Sequence, residues 1–225
     1  MHIIKSFISI TILAVLVGCA TPVKPGITGA TEKLDLGEDT LLLLTAELAN
    51  DYKPSYQPEA MVLHVETPNA KDSKDRLNFL ADNEGTFHFP TGNKYIFRAR
   101  MKSGDYILRG ITGGSGIFPV HGMFFVPLHC EISAKKGEVV DLGKIIAKTR
   151  ERQGNEFRAG PVVPLIDQAV TGFAGSTFDI QMIPSTTEEL QQIRTLFPIL
   201  KTASIEAKPL PPFNRDVAQK WWETH

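Results

Sequence analysis

The stretch Tyr95–Met101 (YIFRARM) alternates residue by residue, and that alternation constrains the fold more than any other feature of the chain. A period of two places Tyr95, Phe97, Ala99 and Met101 on one face and Ile96, Arg98 and Arg100 on the other, the pattern of a half-buried strand. The turn signal Lys102-Ser103-Gly104-Asp105 follows, and Tyr106–Ile111 is expected as the paired strand. Further strands are expected over Leu41–Leu48, Ala60–Thr67, Arg76–Ala81, Thr86–Phe89, Met123–Ser133, Val139–Ile146 and Phe178–Ile183. Asp82-Asn83-Glu84-Gly85 reads as a hairpin turn, Ala134–Glu138 as another turn, and Pro127 as a bulge or an edge position. Many short strands with Gly-containing turns predict a mainly β fold, an antiparallel β-sandwich, with one or two C-terminal helices.

The helix signals lie late. Ser185-Thr186-Thr187-Glu188-Glu189 offers an N-cap with acids in the first turn. Leu190, Ile193, Leu196 and Phe197 form an apolar stripe, and Pro198 stops it. Arg215–Glu223 is a second candidate and carries Trp221 and Trp222.

At the N-terminus, Lys5 precedes the uncharged run Phe7–Val17, and Gly18 leads into Cys19. The run is too short for a spanning helix and has the layout of a secretory leader. Leu16-Val17-Gly18-Cys19 resembles the lipobox of bacterial lipoproteins. That resemblance implies cleavage before Cys19 and acylation of its thiol, with a diacyl or triacyl anchor (palmitate or a similar chain) as the partner in the membrane. Ala20, where an inner-membrane lipoprotein carries Asp, implies an outer-membrane location facing the periplasm. The expected organisation is a leader over 1–18, a lipidated tether over 19–39, a sandwich over 40–184 and a helical appendage over 185–225.

The segment Lys102–Leu108 resembles the hairpin of prealbumin-like and carboxypeptidase-regulatory-like β-sandwiches, with Ser103 where proline is usual. Ile132–Gly143 resembles a second element of uncharacterised bacterial lipoproteins, with Asp141 replacing an aromatic residue. Neither resemblance implies a catalytic residue.

The net charge of −1 carries no basic excess that would suit nucleic acid. With Cys19 acylated, Cys130 is the remaining thiol, so no disulfide can form. Thr112-Gly113-Gly114-Ser115-Gly116 has the glycine two before a nucleophilic serine, but Ile117 stands where an elbow needs the second, so a loop at a sandwich end is expected. His129-Cys130-Glu131 cannot converge on one metal from a single strand. His64, His88, His121 and Asp141 show no ligand spacing. No catalytic residue, metal site or cofactor is expected.

Arg98 and Arg100, with Arg109 near across the expected hairpin, could grip an acidic partner in fork geometry or pair with neighbouring carboxylates. Ion pairs are the favoured reading of the three, and another envelope protein would be met by the exposed sheet and loops, with the Arg98/Arg100 face as the first choice. The resulting expectation is a membrane-anchored envelope lipoprotein with a non-enzymatic binding or structural role. A hydrolase or metal-dependent enzyme would need several of His64, His88, His121, His129, Ser115 and Asp141 in one cleft. A lipid or small-ligand carrier would need an apolar cavity.

Overall fold

The computed structural model describes residues 22–224, so Cys19 and the leader lie outside the described residues. The chain forms β1 (Pro22–Val23), β2 (Asp39–Asn50), β3 (Glu59–Glu66), β4 (Arg76–Leu80), β5 (Thr86–Phe89), β6 (Gly92–Lys102), β7 (Gly104–Ile117), β8 (Val120–Ala134) and β9 (Val139–Glu151). After these come α1 (Leu165–Thr171), β10 (Ser176–Ile183), α2 (Thr187–Leu196), β11 (Ile205–Ala207) and α3 (Arg215–Thr224).

Two sheets pack face to face, as the alternating pattern predicts. One has the order β1-β4-β3-β7-β8 and the other β10-β9-β2-β6-β5, with β11 also pairing β9. The interior between them takes the inward residues of both sheets. Leu42, Leu44, Phe97, Leu108, Phe124, Val126 and Phe178 are all buried there. Phe124 meets Phe173 at 5.4 Å and Phe178 edge-on at 6.0 Å, the offset contacts aromatic rings prefer.

The sandwich is not antiparallel throughout. β2 runs parallel to β9 (Leu41↔Val139 to Asn50↔Thr149), and β1–β4 and β11–β9 are parallel too. Two expected hairpins are also absent. β6 lies in the six-stranded sheet and β7 in the five-stranded one, so Lys102–Asp105 carries the chain across the sandwich. The Tyr106 hydroxyl donates to the Lys102 carbonyl at 2.9 Å and closes that corner. Asp82–Gly85 makes the equivalent crossing from β4 to β5 through a short 3-10 turn, in which the Asp82 side chain accepts from the Gly85 amide.

A second apolar cluster covers the outer face of the six-stranded sheet at one end. Ile27, Leu36, Leu41, Leu43, Ile96, Val139, Ile193, Phe197 and Leu200 compose its buried part. The segment expected as a tether is therefore packed from Pro22 onward: Ile27 is 3% exposed and the Gly26 amide donates to the Arg98 carbonyl at 2.7 Å. Residues 185–224 are likewise built into the body. α2 starts with a capping box between Thr186 and Glu189, β11 extends the sheet, and Leu210 and Ala218 reach the main core. α1 is an additional helix that the sequence reading did not place.

Candidate interaction surface

The arginines divide sharply. Arg98 is 2% exposed. Its Nη2 meets Asp82 at 2.5 Å, Nε donates to the Ile27 carbonyl at 2.9 Å, and Nη1 donates to the Ile96 carbonyl at 2.9 Å. The guanidinium also lies 4.3 Å from the Phe197 ring centroid. The face expected to present Arg98 to a partner is instead covered by α2 and the 22–38 segment, so Arg98 is not a partner-binding residue. Arg100 keeps partial exposure and pairs with Asp39 at 2.8 Å. Hydrogen bonds from Lys102 and Arg100 hold the Asp39 carboxyl below the usual carboxylate range. Arg109 lies in the other sheet, paired with Glu66 at 2.5 Å and 3.2 Å from His129 Nδ1. The three arginines thus share no surface.

The chemistry-bearing residues are also scattered. Ser115 lies inside β7 and is 8% exposed, on a strand and not in the loop expected. Gly113 and Gly116 answer to crowding: a Cβ would sit 2.0 Å from the Glu59 carbonyl oxygen at the first and 2.0 Å from that of Val120 at the second. Asp141 is buried and accepts from Ser185 Oγ at 2.9 Å, with its carboxyl pushed up by burial. His88 contacts Asn93 Oδ1 at 3.0 Å, and His121 stands at the start of β8. His64 and His129 lie each about 6.4 Å from the Phe125 ring, while His121, on the same face of β8, stands four residues away toward the tip. Among the described residues, no group of three or more His, Cys, Asp or Glu side chains is placed to hold a metal ion.

His64 is held between strands. Its Nε2 contacts Thr112 Oγ1 and its Nδ1 contacts Asn78 Oδ1, both at 2.8 Å, with burial pushing its pKa down. With Nδ1–H donating to Asn78 and the Thr112 hydroxyl donating to Nε2, the neutral ring ties β4, β3 and β7 together. Thr112 sits mid-ladder, opposite Val62 on one side and Phe125 on the other, so the local backbone is committed to the sheet and forms no open oxyanion site.

Pro127 marks a bulge, as its position predicts. The pairs Leu108↔Cys130 and Gly110↔Pro127 leave Leu128 and His129 facing Arg109 alone, and His129 takes φ +50°. That places His129 against Trp221 of α3, with ring centroids 4.8 Å apart, while Trp222 packs on the main core. Cys130 points inward, 6% exposed, and desolvation raises its thiol pKa to about 11. A thiol held neutral in an apolar site is inert. Thiol reagents are expected to label Cys130 only after denaturation, and stoichiometric labelling of the native protein within minutes would contradict that burial.

The outstanding surface was not signalled by any motif. At the β7–β8 tip, Ile117 is 65% and Phe118 87% exposed; beside it Val163, Leu165 and Ile166 are 76%, 68% and 72% exposed. The two segments are neighbours, since the His121 amide donates to Asp167 Oδ2 at 3.0 Å and Gly122 lies directly against Thr171. No Asp, Glu, Lys or Arg occurs from Gly110 to Cys130, and only Asp167 from Ala159 to Ala174. A side-chain area on the order of 600 Å² at this end equals or exceeds the largest apolar patch of a typical monomer. The missed signal was the absence of charge across both stretches, which no local motif records.

The described residues contain no helix long and apolar enough to cross a membrane. Comparison with known proteins adds no relative: no family model, no curated protein and no solved structure matches this chain.

Proposed function

We propose that this protein is a lipid-anchored protein of the bacterial cell envelope, held by acylated Cys19, with a non-enzymatic role in protein association. The observation that carries this reading is the placement of the apolar tip relative to the N-terminal strand. Through the pairs Pro22↔Asn78, His64↔Asn78 and His64↔Gly110, Pro22 stands level with Gly110, at the far edge of the same sheet. Ile117 is seven residues further along β7, roughly 23 Å, and three strand spacings across, roughly 14 Å. β1 runs parallel to β4 and hence toward the tip. The three residues from Cys19 to Pro22 span at most about 11 Å. An anchor at Cys19 therefore holds the body at the β1 edge of this sheet, roughly 27 Å from the tip.

The continuous cluster of buried side chains between the sheets favours this role over a carrier, and the dispersal of His88, His121, Ser115 and Asp141 favours it over a hydrolase. The anchor is tested by feeding cells a labelled fatty acid. The wild-type chain is expected to take up label and partition into detergent, and Cys19→Ser to do neither. Label retained in Cys19→Ser would remove the lipobox basis of the proposal.

A further inference from the structure

We propose that the tip is a self-association surface, on which two copies of this chain meet through Ile117, Phe118, Val163, Leu165 and Ile166. The inference names the partner of the surface described above and rests on that reading for the position of the tip. Three observations select a second copy.

The first is charge. A surface that meets itself about a two-fold axis sets each charge near its own image, and like charges repel. Apart from Asp167, whose carboxylate is already engaged by the His121 amide, the two stretches carry none. The second is area. Exposed apolar surface on the order of 600 Å² approaches the roughly 800 Å² per partner of a standard interface, and it has the charge-poor character of homodimer contacts. The third is position. Two copies anchored in one membrane, each with its tip roughly 27 Å from its N-terminal strand, can join tips while both anchors stay inserted.

A bilayer fits the same apolar side chains less well. Membrane-seated surfaces combine apolar residues with Lys or Arg at the headgroups, or with Trp and Tyr at the interface. Neither stretch contains any of these four residue types, and the Tyr52 and Lys53 beside them lie against Gly172, at the far end of α1 from Leu165 and Ile166. Both tryptophans are in α3, packed on β8 and the main core.

The test places the photo-reactive p-benzoylphenylalanine at position 118 of the full-length chain in living bacteria. Illumination is expected to yield a product of twice the chain mass, in which position 118 is joined to residues 117–119 or 162–166 of another copy. Adding Ile166→Asp, an exposed change expected to leave the melting temperature unchanged, should lower that yield at least tenfold. A cross-link formed only to lipid would assign the tip to a bilayer, and one formed only to a different protein would assign it to a hetero-partner. Either result, the absence of any cross-link, or a yield unaffected by Ile166→Asp overturns the proposal. Fatty-acid labelling of the same cells separates the two readings. A doubled-mass product from an unlabelled chain means that the anchor has failed and self-association stands. Label without that product means the reverse.

Discussion

Replacing Arg98 with alanine is expected to cost about 3–5 kcal/mol of folding stability, the range found when one partner of a buried ion pair is removed. The side chain is fully inaccessible, and its guanidinium serves Asp82, two backbone carbonyls and the face of Phe197 at once. Loss of the cation leaves those carbonyls short of donors and opens space between β6 and α2. Asp82 is 26% exposed and regains some water, which keeps the cost from exceeding this range. Urea unfolding should show a lower midpoint with unchanged slope. Arg100→Ala, two residues along the same strand face, should cost less than about 1 kcal/mol, because its pair with Asp39 is partly exposed. Equal effects of the two substitutions would contradict the burial of one and the exposure of the other.

Glu156→Gln is expected to be the most damaging change to the attachment of α3. The carboxylate meets Arg150 of β9 at 2.5 Å and Arg215 of α3 at 3.0 Å, and also accepts from the Gln153 amide. The Arg150 hydrogen bond leads in lowering its pKa, from the ordinary 4.5 to about 2. A carboxyl with a lowered folded pKa contributes stability that is fully present above about pH 4.5 and lost as pH falls toward about 2. Fully converted, the shift is worth about 3 kcal/mol. Arg150 is 35% exposed, and solvent screening brings the expected value nearer 1–2 kcal/mol. Unfolding free energies measured from pH 7 to pH 2 should fall more steeply for the wild type than for Glu156→Gln and converge at the acid end. Parallel curves would show that the network does not titrate with folding.

Much of the fold was legible because burial writes a period of two into a strand. Tyr95, Phe97, Ala99 and Met101 face the main core as their alternation requires. The pairing of strands was not legible. Lys102–Asp105 and Asp82–Gly85 have turn chemistry, but a turn that crosses between sheets uses the same glycines and acids as one that closes a hairpin. Arg98 was misplaced for a related reason. An arginine in an alternating strand reads as solvent-facing unless something covers that face, and the cover here comes from residues 22–38 and 187–200, remote in sequence. Leu41–Leu44 held the clue, since four successive leucines on one strand imply burial on both sides. The tip escaped notice because its two halves are separated by more than forty residues and belong to elements of different type.

The parallel pairing of β2 with β9 also determines when the molecule can come into being. Asn50 and Thr149 share a hydrogen bond across 99 positions of chain, and β11 joins the same strand later still. Closing so long a loop precedes any reward from the contacts it brings together, and folds dominated by such remote pairings cross their barrier in milliseconds to seconds. A chain still being synthesised can pair β2 with β6 and β6 with β5, but it cannot complete its six-stranded sheet until β9 has emerged. Until Glu151 has been made, one long edge of β2 stays open, in the form most exposed to premature pairing with another strand.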